Sequence, residues 1–215
     1  MGIILLCGGL FLFAFLHLLT ATKSIRTPLA KRFGEGPYKG VFALLSLVAF
    51  ALAMHGYASM DYIEYWQPIR ILVLVQTFVI MPVSVTLLVS SYVSRGTQRI
   101  TRHPMLTGVA LACFGHLLVN GDLAAIFLFG GLAIYCVVAM LWSDVQAKLS
   151  AEEKVQQFLA QTGYVPAFTR LRVTPQDLLP RLGVLGPAIG VVMYGLALTY
   201  HGQVFGVSPL SSIAS

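Results

Sequence analysis

A six-span bundle of membrane helices, all-α, is the architecture this sequence predicts, and three features predict it. The 215 residues are 57% hydrophobic and only 10% charged, against about 25% charged in an ordinary soluble domain. The mean hydropathy is +0.82. The few charges are gathered between long uncharged stretches rather than spread along the chain. This pattern excludes a cytosolic enzyme, a disordered regulator and a nucleic-acid binder. A β-barrel is excluded because the apolar runs are continuous, not alternating.

Charge-free runs extend over Met1–Thr22, Gly40–Met60, Ile71–Ser94, His103–Gly121, Leu123–Ser143 and Leu182–Ser215. About 20 apolar residues at 1.5 Å rise cross a 30 Å hydrocarbon layer. The spans are accordingly set at residues 3–22, 38–58, 70–94, 104–120, 123–142 and 183–200 of a single 1–215 domain. The run Val155–Thr169 is too short and too polar to be a seventh. Pro82 predicts a kink in the third span, with Gln76, Thr77, Ser84 and Thr86 able to meet freed backbone groups. Gly130 and Gly131 in the fifth suggest close helix approach.

Thirteen of the 14 basic residues lie in three odd-numbered loops: Lys23 to Lys39, Arg95 to Arg102, and Lys148 to Arg181; Arg70 alone lies elsewhere. The positive-inside rule places these loops in the cytoplasm and both termini outside. It also accounts for the isoelectric point near 9.4 without a polyanionic partner. Asp61 and Glu64 mark the first external loop, with Tyr62, Tyr65 and Trp66 as its interfacial aromatics, and Trp142 does the same at the inner end of span five. Lys23 follows the first apolar run instead of preceding it, so that run reads as an uncleaved anchor. The largest soluble piece is Asp144–Arg181. There Ser150-Ala-Glu-Glu153 predicts a capping box opening a short amphipathic helix near 150–161, with Gly163 ending it and Pro166, Pro175 and Pro180 keeping the rest irregular. Three cysteines, Cys7, Cys113 and Cys136, all inside spans, imply no disulfide framework.

Asp and Glu are absent from every span, but histidine is not. His17, His55, His103 and His116 sit in or at the ends of spans, and His201 closes the last. Zinc-helix, phosphate-loop and Ser/His/Asp patterns are missing. Histidine and cysteine in an apolar interior favour haem. His116 lies roughly 18 Å from the cytoplasmic face by residue count, with Cys113 and Asn120 on its helical face. It is either a ligand or a histidine bonded to a carbonyl, with Asn120 capping the helix. His17 is either a ligand or an interfacial side chain. By count it differs from His116 in depth by on the order of 12 Å, whereas His55 is closer in depth and is the alternative ligand. Arg102-His103-Pro104 is a natural helix start, and also a cationic corner able to meet a haem propionate or cofactor carboxylate.

Thr101-Arg-His-Pro-Met105, Gly108 and Gly115-His-Leu-Leu-Val-Asn-Gly-Asp122 together resemble the signature of the NnrU family. Supporting stretches are His17–Arg26, Tyr38–Ser46 and His201–Pro209. These are bacterial membrane proteins associated with nitrite and nitric oxide reduction, related to plant 15-cis-zeta-carotene isomerase. The resemblance implies a haem b of the inner membrane held by His17 and His116, with Cys113 replacing one of them as the redox state changes. It further implies either a redox-gated cis-trans isomerase of a polyene or support of nitrogen-oxide reduction as an electron-transfer or assembly partner. A hydrophobic small molecule or a redox partner, within membrane lipid, is the expected company. Arg102-His103-Pro104 with Glu152, Glu153 and Tyr164 also resembles membrane methyltransferases that grip S-adenosylmethionine at the cytoplasmic face. That is the alternative enzyme reading.

Overall fold

The computed structural model describes residues 1–93, 101–164 and 185–211. Within them lie eight helices: α1 (Gly2–Ala21), α2 (Lys23–Phe33), α3 (Glu35–Ala58), α4 (Arg70–Val93), α5 (Pro104–Val119), α6 (Leu123–Lys148), α7 (Glu153–Gln161) and α8 (Leu185–Phe205). No strand forms among the described residues. Arg95, Arg99, Arg170, Arg172, Arg181, Pro166, Pro175 and Pro180 lie outside them.

Five helices, α1, α3, α4, α6 and α8, are long and apolar enough to cross a membrane. The expected fourth span is the exception: α5 has 16 residues, a rise of about 24 Å. It is fixed between Pro104 in its first turn and an extended Asn120 at its end. Neighbours follow the order α3, α1, α6, α5, α4, α8, an open row in which α6 joins an α1–α3 pair to an α5–α4–α8 group. Between 17 and 22% of the first four long helices is buried, and 6% of α8. Outward apolar side chains are what a hydrocarbon solvent permits, so cohesion comes from close backbone approach rather than from a large core. At Gly9 a Cβ would lie 2.5 Å from the Ala53 nitrogen, and at Gly56 one would lie 2.2 Å from that of Leu6. Gly130, expected to serve this purpose, has nothing near it, and Gly131 meets only the tip of Leu10.

Further local features appear. The first basic loop is largely helical: extended Thr22 breaks α1, Lys23–Phe33 forms a helix despite Pro28, and Gly34 turns the chain at φ +86°. The perturbation before Pro82 is a π-helical stretch, Gln76–Ile80, and Ser84 donates 2.5 Å to the Gly108 carbonyl of α5 rather than to its own helix. The amphipathic helix starts at Glu153, not Ser150. Ser150 is held in the turn ending α6, its amide donating to Ala147 and its carbonyl accepting from Gln156 at 2.7 Å.

Both ends of the row are stitched. At the basic end the Trp142 indole donates to Thr22 Oγ1 at 3.0 Å. At the other, the loop after α3 pairs with the α5–α6 turn. Tyr65 N donates to the Gly121 carbonyl at 2.7 Å, and Leu123 N to that of Ile63 at 2.9 Å. A Cβ at Gly121 would stand 1.8 Å from the Trp66 carbonyl oxygen. Only glycine allows that approach.

Candidate functional site

The densest polar cluster among the described residues is at the basic end, where α5 begins. Arg102 and His103 converge on one carboxylate, Asp144, in the last turns of α6. Arg102 Nη1 donates to Asp144 Oδ2, and His103 Nε2 lies 2.9 Å from Oδ1. The Tyr164 hydroxyl donates to Oδ2 at 2.6 Å. Arg102 has further partners at the end of α7: Nε donates to Thr162 Oγ1 at 3.0 Å, and Nη2 to the carbonyls of Leu159 at 2.9 Å and Thr162 at 2.5 Å. Thr101 closes the cluster, donating to the Tyr164 carbonyl at 2.9 Å. The Asp144 and Arg102 side chains are 7 and 11% exposed, so this ion pair is shielded and densely hydrogen-bonded. Burial, with the Asp144 carboxylate beside it, pushes the Tyr164 phenol up to about 12.

The cationic corner expected to meet a cofactor's anion thus faces an anion of the chain itself. Four of the five guanidinium N–H donors are engaged. Tyr164 joins the cluster, while Glu152 and Glu153 stand exposed at the start of α7. Asp144 is the residue that sequence reasoning missed. Its signal was an acid two residues beyond Trp142, within reach of a span end.

His17 stands elsewhere, between α1, α3 and α6. Its Nδ1 donates to the Phe13 carbonyl at 2.8 Å, which leaves Nε2 as the lone-pair nitrogen. Three rings enclose it: Phe13 with centroids 4.1 Å away, Phe42 edge-on at 5.0 Å and Tyr135 at 5.9 Å. His116 stacks on Phe129 at 4.6 Å and 11°, and Asn120 Nδ2 donates to its carbonyl at 2.9 Å. Cys113 is buried, as is Cys136. Beside Gly115 lies a second polar feature that the sequence reading assigned only to helix repair. Gln76 and Thr77 are buried in the π-helical stretch, and the Tyr194 hydroxyl of α8 donates to the Thr77 carbonyl. His55 is exposed on α3, and His201 Nδ1 donates to the Val207 carbonyl at 2.6 Å.

Each of His17 and His116 by itself has the chemistry of an axial haem ligand, His17 the more clearly because a backbone carbonyl fixes its tautomer. No hydrogen bond or ring contact joins the two. They lie against Tyr135 and Phe129 of the same helix, six residues apart, which is about 9 Å along α6 and a third of a turn around it. No cluster of three His, Cys, Asp or Glu side chains suited to a metal ion occurs among the described residues.

Comparison with known proteins adds one result. The family model described as NnrU protein matches residues 5–209. No curated protein and no solved structure matches the chain. The match takes in α1 through α8, including Arg102-His103, both interior histidines and the Gly121 turn, and the chain therefore belongs to the NnrU family.

Proposed function

We propose that this chain is a six-pass protein of a bacterial cytoplasmic membrane that binds haem b through a histidine inside the bundle. The basic end faces the cytoplasm and both termini lie outside. Charge distribution supports that orientation, and so does the gathering of Lys23, Arg102 and Lys148 at one end of the row.

The observation that carries the haem reading is His17. Its Nδ1–H bond to Phe13 leaves Nε2 as the lone-pair nitrogen, among the rings of Phe13, Phe42 and Tyr135. That is the arrangement in which imidazole serves as a metal ligand. His116, with Cys113 one turn earlier, is the second donor that family resemblance implies. The bound group would supply a one-electron carrier or a Lewis acid. The physiological role follows the family association, support of nitrite and nitric oxide reduction, with polyene isomerisation as the enzymatic form of the same reading.

The test is the absorption spectrum of detergent-purified protein, oxidised and reduced. A Soret band lost in His17→Ala but kept in His116→Ala makes His17 the sole histidine ligand. Loss in both variants makes both histidines ligands. Colourless, iron-free wild type that binds S-adenosylmethionine overturns the proposal in favour of the methyltransferase. Conversion of 15-cis-zeta-carotene by haem-loaded protein separates isomerase from electron-transfer partner.

A further inference from the structure

Helix α2 bears two clefts on adjacent faces. Lys23, Arg26, Thr27, Ala30 and Lys31 recur at helical spacing and, with Glu35, line a cavity of about 410 Å³. About 110° around the helix, Leu29 and Phe33 form one wall of a second cavity of about 350 Å³. Its other walls include Leu16 and Leu19 of α1 and Phe42 and Leu45 of α3. The first cavity is cationic, three basic side chains against one carboxylate. That carboxylate is already shared between Lys39 at 2.6 Å and Arg26 at 3.6 Å, so Lys23 and Lys31 have no carboxylate of their own among the described residues. The first turn of α2 contains no acidic residue. The second cavity is almost wholly apolar and lies between two membrane helices.

We infer that α2 forms a specific site for an anionic glycerophospholipid, with the phosphate in the Lys23–Arg26–Lys31 cleft and one acyl chain in the groove between α1 and α3. An amphiphile is the only ligand class whose two chemistries match both cavities at that spacing. Bulk lipid would match the groove, and a soluble anion the cleft, but neither alone matches both. The cavities fall within the 300–1,000 Å³ typical of small-molecule sites. A basic residue near a membrane surface contributes about 1 kcal/mol toward an anionic lipid, a factor of about five. The site does not depend on haem.

Native mass spectrometry of the full detergent-solubilised chain, titrated with phosphatidylglycerol and phosphatidylcholine of the same acyl length, tests it. Phosphatidylglycerol should bind at least about 30-fold more tightly. K23Q/K31Q should lower that affinity about 30-fold and leave phosphatidylcholine unchanged, whereas Leu45→Trp should weaken both by filling the groove. Equal wild-type affinities overturn the inference, whether or not the variants fold. So does an unchanged preference in K23Q/K31Q, or glycerol 3-phosphate displacing the lipid at equal concentration, which would mark a soluble-anion site. Because haem is read separately from the Soret band, failure of either proposal leaves the other standing.

Discussion

Replacing Asp144 with alanine is the sharpest test of how the basic end is held. One carboxylate accepts from Arg102, His103 and Tyr164, and its removal leaves the Arg102 guanidinium 11% exposed with no anion. Stranding one member of a shielded pair costs about 3–5 kcal/mol. For a chain of this size that corresponds to a melting-temperature drop of about 6–20 °C. The loss should also be local. Arg102 reaches the Leu159 and Thr162 carbonyls only from its present position, so α7 should come loose before the spans do. Thermal unfolding in detergent and hydrogen exchange across residues 153–161 measure the two effects. Arg102→Ala in the Asp144→Ala background should cost much less than in wild type, because the stranded charge is already gone. A drop below 2 °C, with exchange in α7 unchanged, would show that the cluster does not join the helices as argued.

Other outcomes follow from the same geometry. Gly121→Ala drives a Cβ into the Trp66 carbonyl and should cost about 3 kcal/mol or more, seen as poor yield or a lowered melting temperature. Gly130→Ala, in open space within a helix, should be neutral or stabilising by up to about 1 kcal/mol. Ser84→Ala removes the bond to the Gly108 carbonyl and should cost about 0.6 kcal/mol, the usual size for such bonds between membrane helices. The raised Tyr164 phenol gives a pH dependence of defined sign. Its neutral form is favoured in the folded protein, so its contribution is complete below pH 10 and lost as pH rises from 10 to about 12. Tyr164→Phe should flatten that part of the stability profile, and an unchanged slope would refute the assignment.

How much could be read from the chain varies from residue to residue. The long apolar helices were legible because hydrocarbon leaves a backbone few alternatives. The special status of Arg102-His103 was legible too, but not its partner. Asp144 is 42 residues away from Arg102 and was read as the first residue of a soluble segment, whereas α6 continues as a helix four residues past it. Helix α2 was hidden by its charges and by Pro28, since its stability comes from lying against α1 and α3 rather than from an apolar stripe. Depth by residue count put His17 and His116 on the order of 12 Å apart, and the helix register gives about 9 Å. What counting cannot supply is rotation: a third of a turn on α6 follows from which faces pack, and no local pattern records it.

The brevity of α5 has a consequence for the membrane itself. Both its ends are anchored, one through Arg102 and His103 on Asp144, the other through Gly121 against Trp66, so tilting or stretching cannot make up its missing length. In the six-pass arrangement proposed above, a rise of about 24 Å set in about 30 Å of hydrocarbon would leave some 6 Å to be taken up by the lipid, which would thin where it borders this helix. Headgroups and water would then come closer to Asn120 and His116 from one side than they could beside the longer helices.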